Sequence, residues 1–410
     1  MTTPSADRAL PVIVLSGGVT ALGVMRAFGR QDIPVYVHPD TAEYIRYSRW
    51  YRPLLDSRPA NASAPSREVL EEVLQRSELG AGFLCACSDD WNRAVAEYAE
   101  RGAPRFVSVV PTPTSLDRLQ DKGRLASLLE ELQVPMPLTR RIAAAGDLAE
   151  IPRPTSTFYF LKPTDSQRFL VRFGTKGMRV ATAEEARSRL AEIVAAGLAV
   201  VLQEYIPGSF DQHYFVDGYA DRSGAIKALF ARRRLRIYPP DFGNSTAMVS
   251  VPLDAVAQAA DSVRRVLGAV RYRGIFSAEF KRDPRDGLFK LLEVNTRPWW
   301  FIDFAVRCGV DVCRMAYDDA QGLPVKAVDR YRIGATCVFP YYDFFAMQPL
   351  LREGSLTWAR WWKELLPALQ PVGCWDDPLP GIVGFARVMR SALRNRLRRS
   401  DAGLALNGRR

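Results

Sequence analysis

Short apolar runs separated by helix-period stretches admit few folds, and the first 110 residues are built that way. Residues 12–15, 35–37, 83–87 and 106–110 read as buried strands. Ser16-Gly17-Gly18 turns the chain into a helix carrying Ala21, Leu22 and Met25, and helical periodicity returns at about 67–77 and 89–101. Strands and helices in alternation form a parallel sheet of the α/β class. The first turn lacks the Gly-x-Gly-x-x-Gly spacing of dinucleotide folds, so no nicotinamide cofactor is expected. The strand ending at Cys87 carries Ser88, Asp89 and Asp90 to the carboxyl edge of the sheet, where such folds bind ligands. These three are candidate substrate contacts; the plainer role for Ser88 or Asp89 is to cap the next helix.

Chemistry is most legible in Gly274-Ile-Phe-Ser-Ala-Glu279-Phe-Lys-Arg-Asp-Pro-Arg-Asp-Gly287-Leu-Phe-Lys-Leu-Leu-Glu293-Val-Asn295-Thr-Arg297. Alternation on both sides of the turn formers Asp-Pro-Arg-Asp-Gly reads as a β-hairpin. A hairpin symmetric about Asp286 sets Glu279 opposite Glu293, Phe280 opposite Leu292 and Ala278 opposite Val294. Facing carboxylates repel unless something positive lies between them, and Asn295 points its carbonyl to the same face. Two carboxylates and an amide oxygen suit Mg2+ (or Mn2+) with phosphate oxygens completing the shell, and do not suit zinc. The simpler alternative is an exposed hairpin whose carboxylates pair with Lys281 and Arg297.

The chain's 410 residues suffice for two or three domains with a large core. No apolar run approaches the roughly 20 residues that span a bilayer, and residues 1–8 lack a signal-peptide core, so a cytoplasmic location is expected. Six cysteines without paired spacing and only two histidines point to free, mostly buried thiols and no zinc site. Of the net charge of +11, residues 381–410 contribute +7 through eight arginines and one aspartate. The body is therefore only mildly basic, which argues against a nucleic-acid binder.

Between these regions, Asp121-Lys122 opens an amphipathic helix ending near Leu132, and a strand at 157–161 presents Lys162-Pro163. Phe173-Gly-Thr-Lys176-Gly177 is a glycine-flanked lysine loop that can bring N–H groups and an ammonium to phosphates. A helix at about 183–196 and a strand running into Gln203-Glu204-Tyr205-Ile206 complete a small module able to close over a ligand. Strands at 212–219 and 225–238 suggest a mixed or antiparallel sheet, followed by a helix at 255–267. Alternation sends Arg232, Arg234 and Arg236 one way and Arg233 the other; a solvated edge charge is the plainer role for each.

In this order and spacing the motifs resemble the ATP-grasp superfamily, over about residues 10–325. Within it the chain is most similar to carboxylate–amine ligases of the D-aspartate ligase-like and carbamoyl-phosphate-synthase-like kind, with Tyr238-Pro-Pro-Asp-Phe-Gly in support. The resemblance implies a Rossmann-like N-terminal domain (9–120), an ATP-grasp domain (121–328) of α+β type with a small lid at about 157–206 and a mixed or antiparallel catalytic sheet, and a helical, basic C-terminal extension (329–410). It also implies roles. Lys122 and Lys162 match the lysines on the α and β phosphates, and Lys176 lies in the loop over the triphosphate. Gln203, Glu204, Tyr205 and Ile206 match the hinge that reads adenine, and Asp211 falls near the ribose-holding acid, where an extra residue unsettles the alignment. Glu279, Glu293 and Asn295 match the magnesium ligands. Arg297 matches the arginine at the transferring group, and Arg234, Lys176 and Arg297 are the candidate catalytic cations. Ser88, Asp89, Asp90, Arg233 and Arg297 are the candidate substrate contacts.

The expected reaction is ATP-dependent amide formation between a small carboxylate and an amine through an acyl phosphate, amino acids being the expected substrates. An ATP-grasp carboxylase, a phosphotransferase and a non-catalytic ATP-binding protein are the alternatives. After residue 378, Ile382, Phe385, Met389, Leu393 and Leu397 recur at helical spacing, with Arg387, Arg390, Arg394 and Arg398 on another face. Such a helix can rest on anionic lipid or an acidic protein, or pack its apolar face on the body. Homodimerisation is left open.

Overall fold

The computed structural model describes residues 9–38, 43–55, 64–102, 105–148, 158–163, 166–175, 177–240 and 243–390. A parallel sheet comes first. It contains β1 (Val12–Leu15), β2 (Val35–Val37), β3 (Gly82–Ala86) and β4 (Phe106–Val107), in the order β2-β1-β3-β4. Helices α1 (Gly18–Gly29), α2 (Arg67–Arg76) and α3 (Asp89–Ala99) alternate with the strands, as the apolar pattern requires. β4 is shorter than the apolar run 106–110 suggests. After Val107 the chain leaves the sheet, and the Val109 carbonyl runs so close to Gly274 that a Cβ there would lie 2.8 Å from it. With φ at +107° as well, glycine is required at that crossing.

Helices α4 (Pro113–Gln120) and α5 (Lys122–Glu131) meet at Asp121, whose carboxylate accepts from the Arg124 N–H at 2.8 Å and caps α5. A second sheet follows, antiparallel in the order β5-β8-β6-β7. Its members are β5 (Thr139–Ile142), β6 (Tyr159–Pro163), β7 (Met178–Val180) and β8 (Val200–Glu204), backed by α6 (Ser166–Phe173) and α7 (Ala183–Ala195). Tyr159, Leu161, Phe169, Leu190, Ile193 and Leu202 give this layer a core of its own.

The third sheet is antiparallel, in the order β13-β12-β9-β10-β11-β14. It uses β9 (His213–Ala220), β10 (Ile226–Tyr238), β11 (Asn244–Ser250), β12 (Gly274–Arg282), β13 (Phe289–Asn295) and β14 (Thr336–Val338). Helix α8 (Ala257–Ala269) covers one face; α9 (Ile302–Arg307) and α10 (Val312–Ala320) pack against the first sheet's α1, where Phe28 and Phe83 meet Tyr317 at 5.6 Å. β14 shows that the region after 328 is not purely helical, since it supplies an edge strand before α11 (Pro340–Arg352) and α12 (Trp358–Leu365).

The C-terminal segment is stitched back to α1. Fully buried Arg26 donates to Asp377 Oδ2 at 2.9 Å and to the carbonyls of Pro371, Val372 and Asp377. Residues 379–390 are helical, and Ile382 and Phe385 keep 61% and 50% of their surface exposed, so the apolar stripe is not packed away there. Leu393, Leu397, Arg394 and Arg398 lie outside the described residues. Among the described residues no helix is long and apolar enough to cross a membrane.

Candidate active site

A cleft of about 1690 Å³ opens between the second sheet and the third and reaches the carboxyl edge of the first. That exceeds the usual single-ligand pocket and leaves room for a nucleotide beside a second molecule. At one end, β6 delivers Lys162 and the first turn of α5 delivers Lys122. Lys162 Nζ donates to Gln203 Oε1 at 2.6 Å. Burial lowers the Lys162 pKa, the pull of Glu293 and Glu279 opposes this, and Lys122 adds repulsion. A cation site that already repels itself gains from an anion between the lysines.

Residues 203–206, the expected hinge, run off the end of β8 along the same wall. Tyr205 stacks on Phe158 with ring centres 4.2 Å apart. Lys281 reaches across from β12, donating to the carbonyls of Ile206 at 2.7 Å and Gly208 at 3.1 Å. Burial, with Arg234 nearby, lowers its pKa to about 8 against the pull of Asp283. The Glu204 carboxylate accepts from Arg285 in the β12–β13 turn at 2.6 Å, so its side chain pins the hinge to the hairpin.

On that hairpin Glu279 pairs with Glu293 and Ala278 with Val294, as symmetry predicts. Phe280, however, pairs with Leu291 rather than Leu292, because a register shift follows Glu279 and leaves one extra residue on β13. Glu279 Oε1 accepts from Arg234 at 3.1 Å and lies 2.8 Å from His213 Nδ1. Burial would push this carboxyl up, but Arg234, His213 and Lys162 hold it below the usual range. Glu293 opens onto the cleft. Desolvation by the surrounding walls and the charge of Glu279 push it up, partly relieved by Lys162.

Asn295 stands with its amide N–H on Glu293 Oε1 at 3.1 Å and its carbonyl accepting from Arg297 at 3.4 Å. In this orientation its carbonyl does not face the two carboxylates; the amide would have to turn over to offer oxygen to a cation. Oε2 of Glu279 and of Glu293 has no donor among the described residues, and no three His, Cys, Asp or Glu side chains gather there into a metal cluster. A pair of free carboxylate oxygens fits a hard cation that takes most of its shell from phosphate and water, and does not fit an all-protein cage. Lys281 and Arg297 pair with neither glutamate, so the plain surface-hairpin alternative does not describe this ribbon.

At the other end Arg297 donates to both oxygens of Asp89, at 3.0 and 3.3 Å. Ser88 caps α3 by accepting from Trp91 N at 3.3 Å, and Ser88 and Asp90 both line the cleft. Arg234 lies in the cleft as alternation predicts. Arg232 does too, clamped on Asp217 at 2.5 and 3.2 Å. Arg236 turns instead to Asp343 and Glu364 where β10 changes register. Arg233 and Asp211 do not line the cleft; they face each other at 3.8 Å. Asp211, the expected ribose acid, also takes hydrogen bonds from Ser209 and Gln212. Lys176 lies outside the described residues. Sequence reasoning missed His213, whose partner is 66 residues away.

No family model matches the chain. A D-aspartate ligase of Enterococcus faecium is 25% identical over 321 residues, covering 75% of this chain and 76% of that protein. The N5-carboxyaminoimidazole synthetase of Staphylococcus aureus, also solved with ADP, superposes with a TM-score of 0.58 at 12% identity over 82% of this chain and 83% of its own. The chain has the ATP-grasp fold. An L-amino acid ligase of Bacillus licheniformis shares it, with a TM-score of 0.55 at 14% identity over 81% and 79% of the two chains. In both sequence and structure the protein is similar to ATP-grasp ligases of the carboxylate–amine branch.

Proposed function

We propose that the protein is an ADP-forming ligase that joins the carboxylate of one small molecule to the amine of another. The observation that carries this reading is the directly opposed pair Glu279 and Glu293, set in one cleft with Lys162, Lys122 and the hinge. Phosphoryl transfer spreads negative charge over oxygens, so the protein's task is positioning and neutralisation, not nucleophilic catalysis. A substrate carboxylate oxygen attacks the γ-phosphorus, the bond to the β–γ bridging oxygen breaks, and ADP leaves. The amine then attacks the acyl carbon of the acyl phosphate, the acyl–oxygen bond to phosphate breaks, and the departing phosphate takes up the amine's proton.

Within this scheme the hinge 203–206 meets the base, Lys122 and Lys162 hold the α and β phosphates, and Lys176 belongs to the loop over them. Arg297 and Arg234 face the transferring group. Glu279, Glu293 and a turned Asn295 would hold magnesium, or manganese on the same oxygen donors, which neutralises phosphate oxygens when bound. The lid, with its separate core, closes to keep water from the acyl phosphate. Amino acids are the proposed substrates, on the strength of the ligases named above.

The test is ADP release from MgATP across a matrix of acids and amines, with product mass. The reading expects release only when both partners are present and a product equal to their sum less water. ADP formed with bicarbonate, or with an acceptor but no amine, would favour a carboxylase or phosphotransferase. ATP binding without turnover on any pair would leave a nucleotide-binding protein.

A further inference from the structure

The helix over 379–390, α13, packs on the protein through its small residues and turns its large ones outward. Gly381 and Gly384 are buried: a Cβ on Gly381 would stand 2.9 Å from Gly373 Cα, and one on Gly384 would stand 3.6 Å from Val372 and from Tyr341. The Tyr341 hydroxyl donates to the Gly381 carbonyl, which ties that face to α11. Leu379, Ile382, Phe385 and Met389 recur on another side at spacings of three, three and four, and keep 52, 61, 50 and 42% of their surface exposed. Phe385 touches Tyr341 with ring centres 5.4 Å apart and is still half open. A helix that only covered the body would turn the other way, since a large apolar side chain gains far more from burial than a glycine. Trp375, four residues before the stripe, is wholly exposed.

Positive charge accompanies the stripe. From Leu379 to Ser400 the sequence holds six arginines, at 387, 390, 394, 396, 398 and 399, and no acidic residue. At 100° per residue Arg387 and Arg390 fall between the apolar stripe and the glycine face. Asp376 and Asp377, just before the helix, are engaged by Arg30 and Arg26. This combination separates the occupants that an apolar face can take. A second copy would set arginines against arginines, which opposes pairing. An acidic protein would answer the charge but must also bring an apolar groove of matching shape. An anionic bilayer supplies both, with phosphate oxygens at the level of the guanidinium groups and acyl chains beneath them, and six arginines is the size of basic cluster that such surfaces hold.

We propose that α13 docks the protein on anionic membranes, lying along the surface with its apolar stripe at the acyl boundary and its arginines on lipid phosphates. This does not rest on the ligase reading, and none of the four stripe residues lines the cleft. Co-sedimentation of the full chain with vesicles of phosphatidylcholine, and of phosphatidylcholine mixed with phosphatidylglycerol, tests it without any variant. Partitioning onto the anionic vesicles is expected to exceed that onto neutral ones about tenfold or more, and to fall as salt is raised. Ile382→Ser combined with Phe385→Ser changes two exposed stripe residues and should weaken binding to the anionic vesicles about tenfold or more. Arg390→Gln should weaken it about fivefold, the worth of one arginine near such a surface.

No binding to either vesicle, or equal binding to both, overturns the proposal. Undiminished binding after the double serine substitution also overturns it, because arginines alone would then make the contact. A dimer in sedimentation velocity that the same substitutions abolish, without vesicle binding, would assign the stripe to a second copy; capture of the chain by polyglutamate, without vesicle binding, would assign it to an acidic protein. Either result overturns the membrane assignment. ADP release measured without vesicles decides the ligase reading separately, so each can fail while the other stands.

Discussion

The two ends of the cleft are built by different means. At the hinge end, charged side chains share one wall: Lys162, Glu279 and Glu293 perturb one another, Lys122 lines the cleft with them, and Lys281 holds the carbonyls of Ile206 and Gly208. At the far end the charges are paired off, Arg297 with Asp89 and Arg232 with Asp217, and the aromatic residues Trp299, Trp300 and Phe301 make part of the wall. The first end is poised for a polyanion and its cation. The second can discriminate by shape and by acceptor placement, because burying an unmatched polar group there is costly.

The largest effect that would sharpen this contrast is structural and belongs to the far end. Asp377→Ala would leave Arg26, on α1, buried without its carboxylate, at a cost of about 3–5 kcal/mol. Chemical denaturation measures it; a loss under about 1 kcal/mol would mean the C-terminal segment does not brace this end. Next, Lys162→Ala at the hinge end should cut ADP-forming turnover roughly 100-fold or more, the scale for removing one preorganised charge. Steady-state rates within a few-fold of wild type would break the idea that this end works by charge.

These outcomes bear on how much the sequence revealed. The Glu279–Glu293 pairing was legible because hairpin symmetry and turn residues are local. The register shift beside it was not, although the adjacent Leu291-Leu292 interrupts strict alternation and is the trace such a bulge leaves. Helix α6 was hidden by the glycine loop after it, even though Phe169 and Phe173 recur at i, i+4 and touch at 4.8 Å. His213 escaped for a different reason. Its meaning depends on what stands opposite, and a partner 66 residues away leaves no local pattern.

Lys281 gives a smaller, pH-dependent effect. Its pKa falls from the ordinary lysine value to about 8 because folding buries it. Between about pH 8 and 10 the unfolded chain binds the extra proton, so stability rises with pH through this group. Relative to Lys281→Met, the wild type should therefore gain about 1–3 kcal/mol over that window, toward the low end because cleft water screens the charge. Unfolding curves of both proteins at several pH values test this; a constant difference would show that the ammonium is not desolvated at the hinge. The smallest effect is Asp211→Ala. A half-exposed pair with Arg233 outside the cleft is worth less than about 1 kcal/mol, and ATP affinity should move by less than about fivefold. A larger loss would return Asp211 to the ribose.

The central claim is that the acidic ribbon grips a metal-bound nucleotide. Calorimetric titration of ADP into the wild type and Glu293→Gln, each with magnesium and with EDTA, addresses it directly. In the wild type magnesium should tighten ADP roughly tenfold or more, the scale on which metal affinity answers to its ligand shell, and in Glu293→Gln that gain should all but vanish. The same magnesium-dependent gain in both proteins would contradict the account.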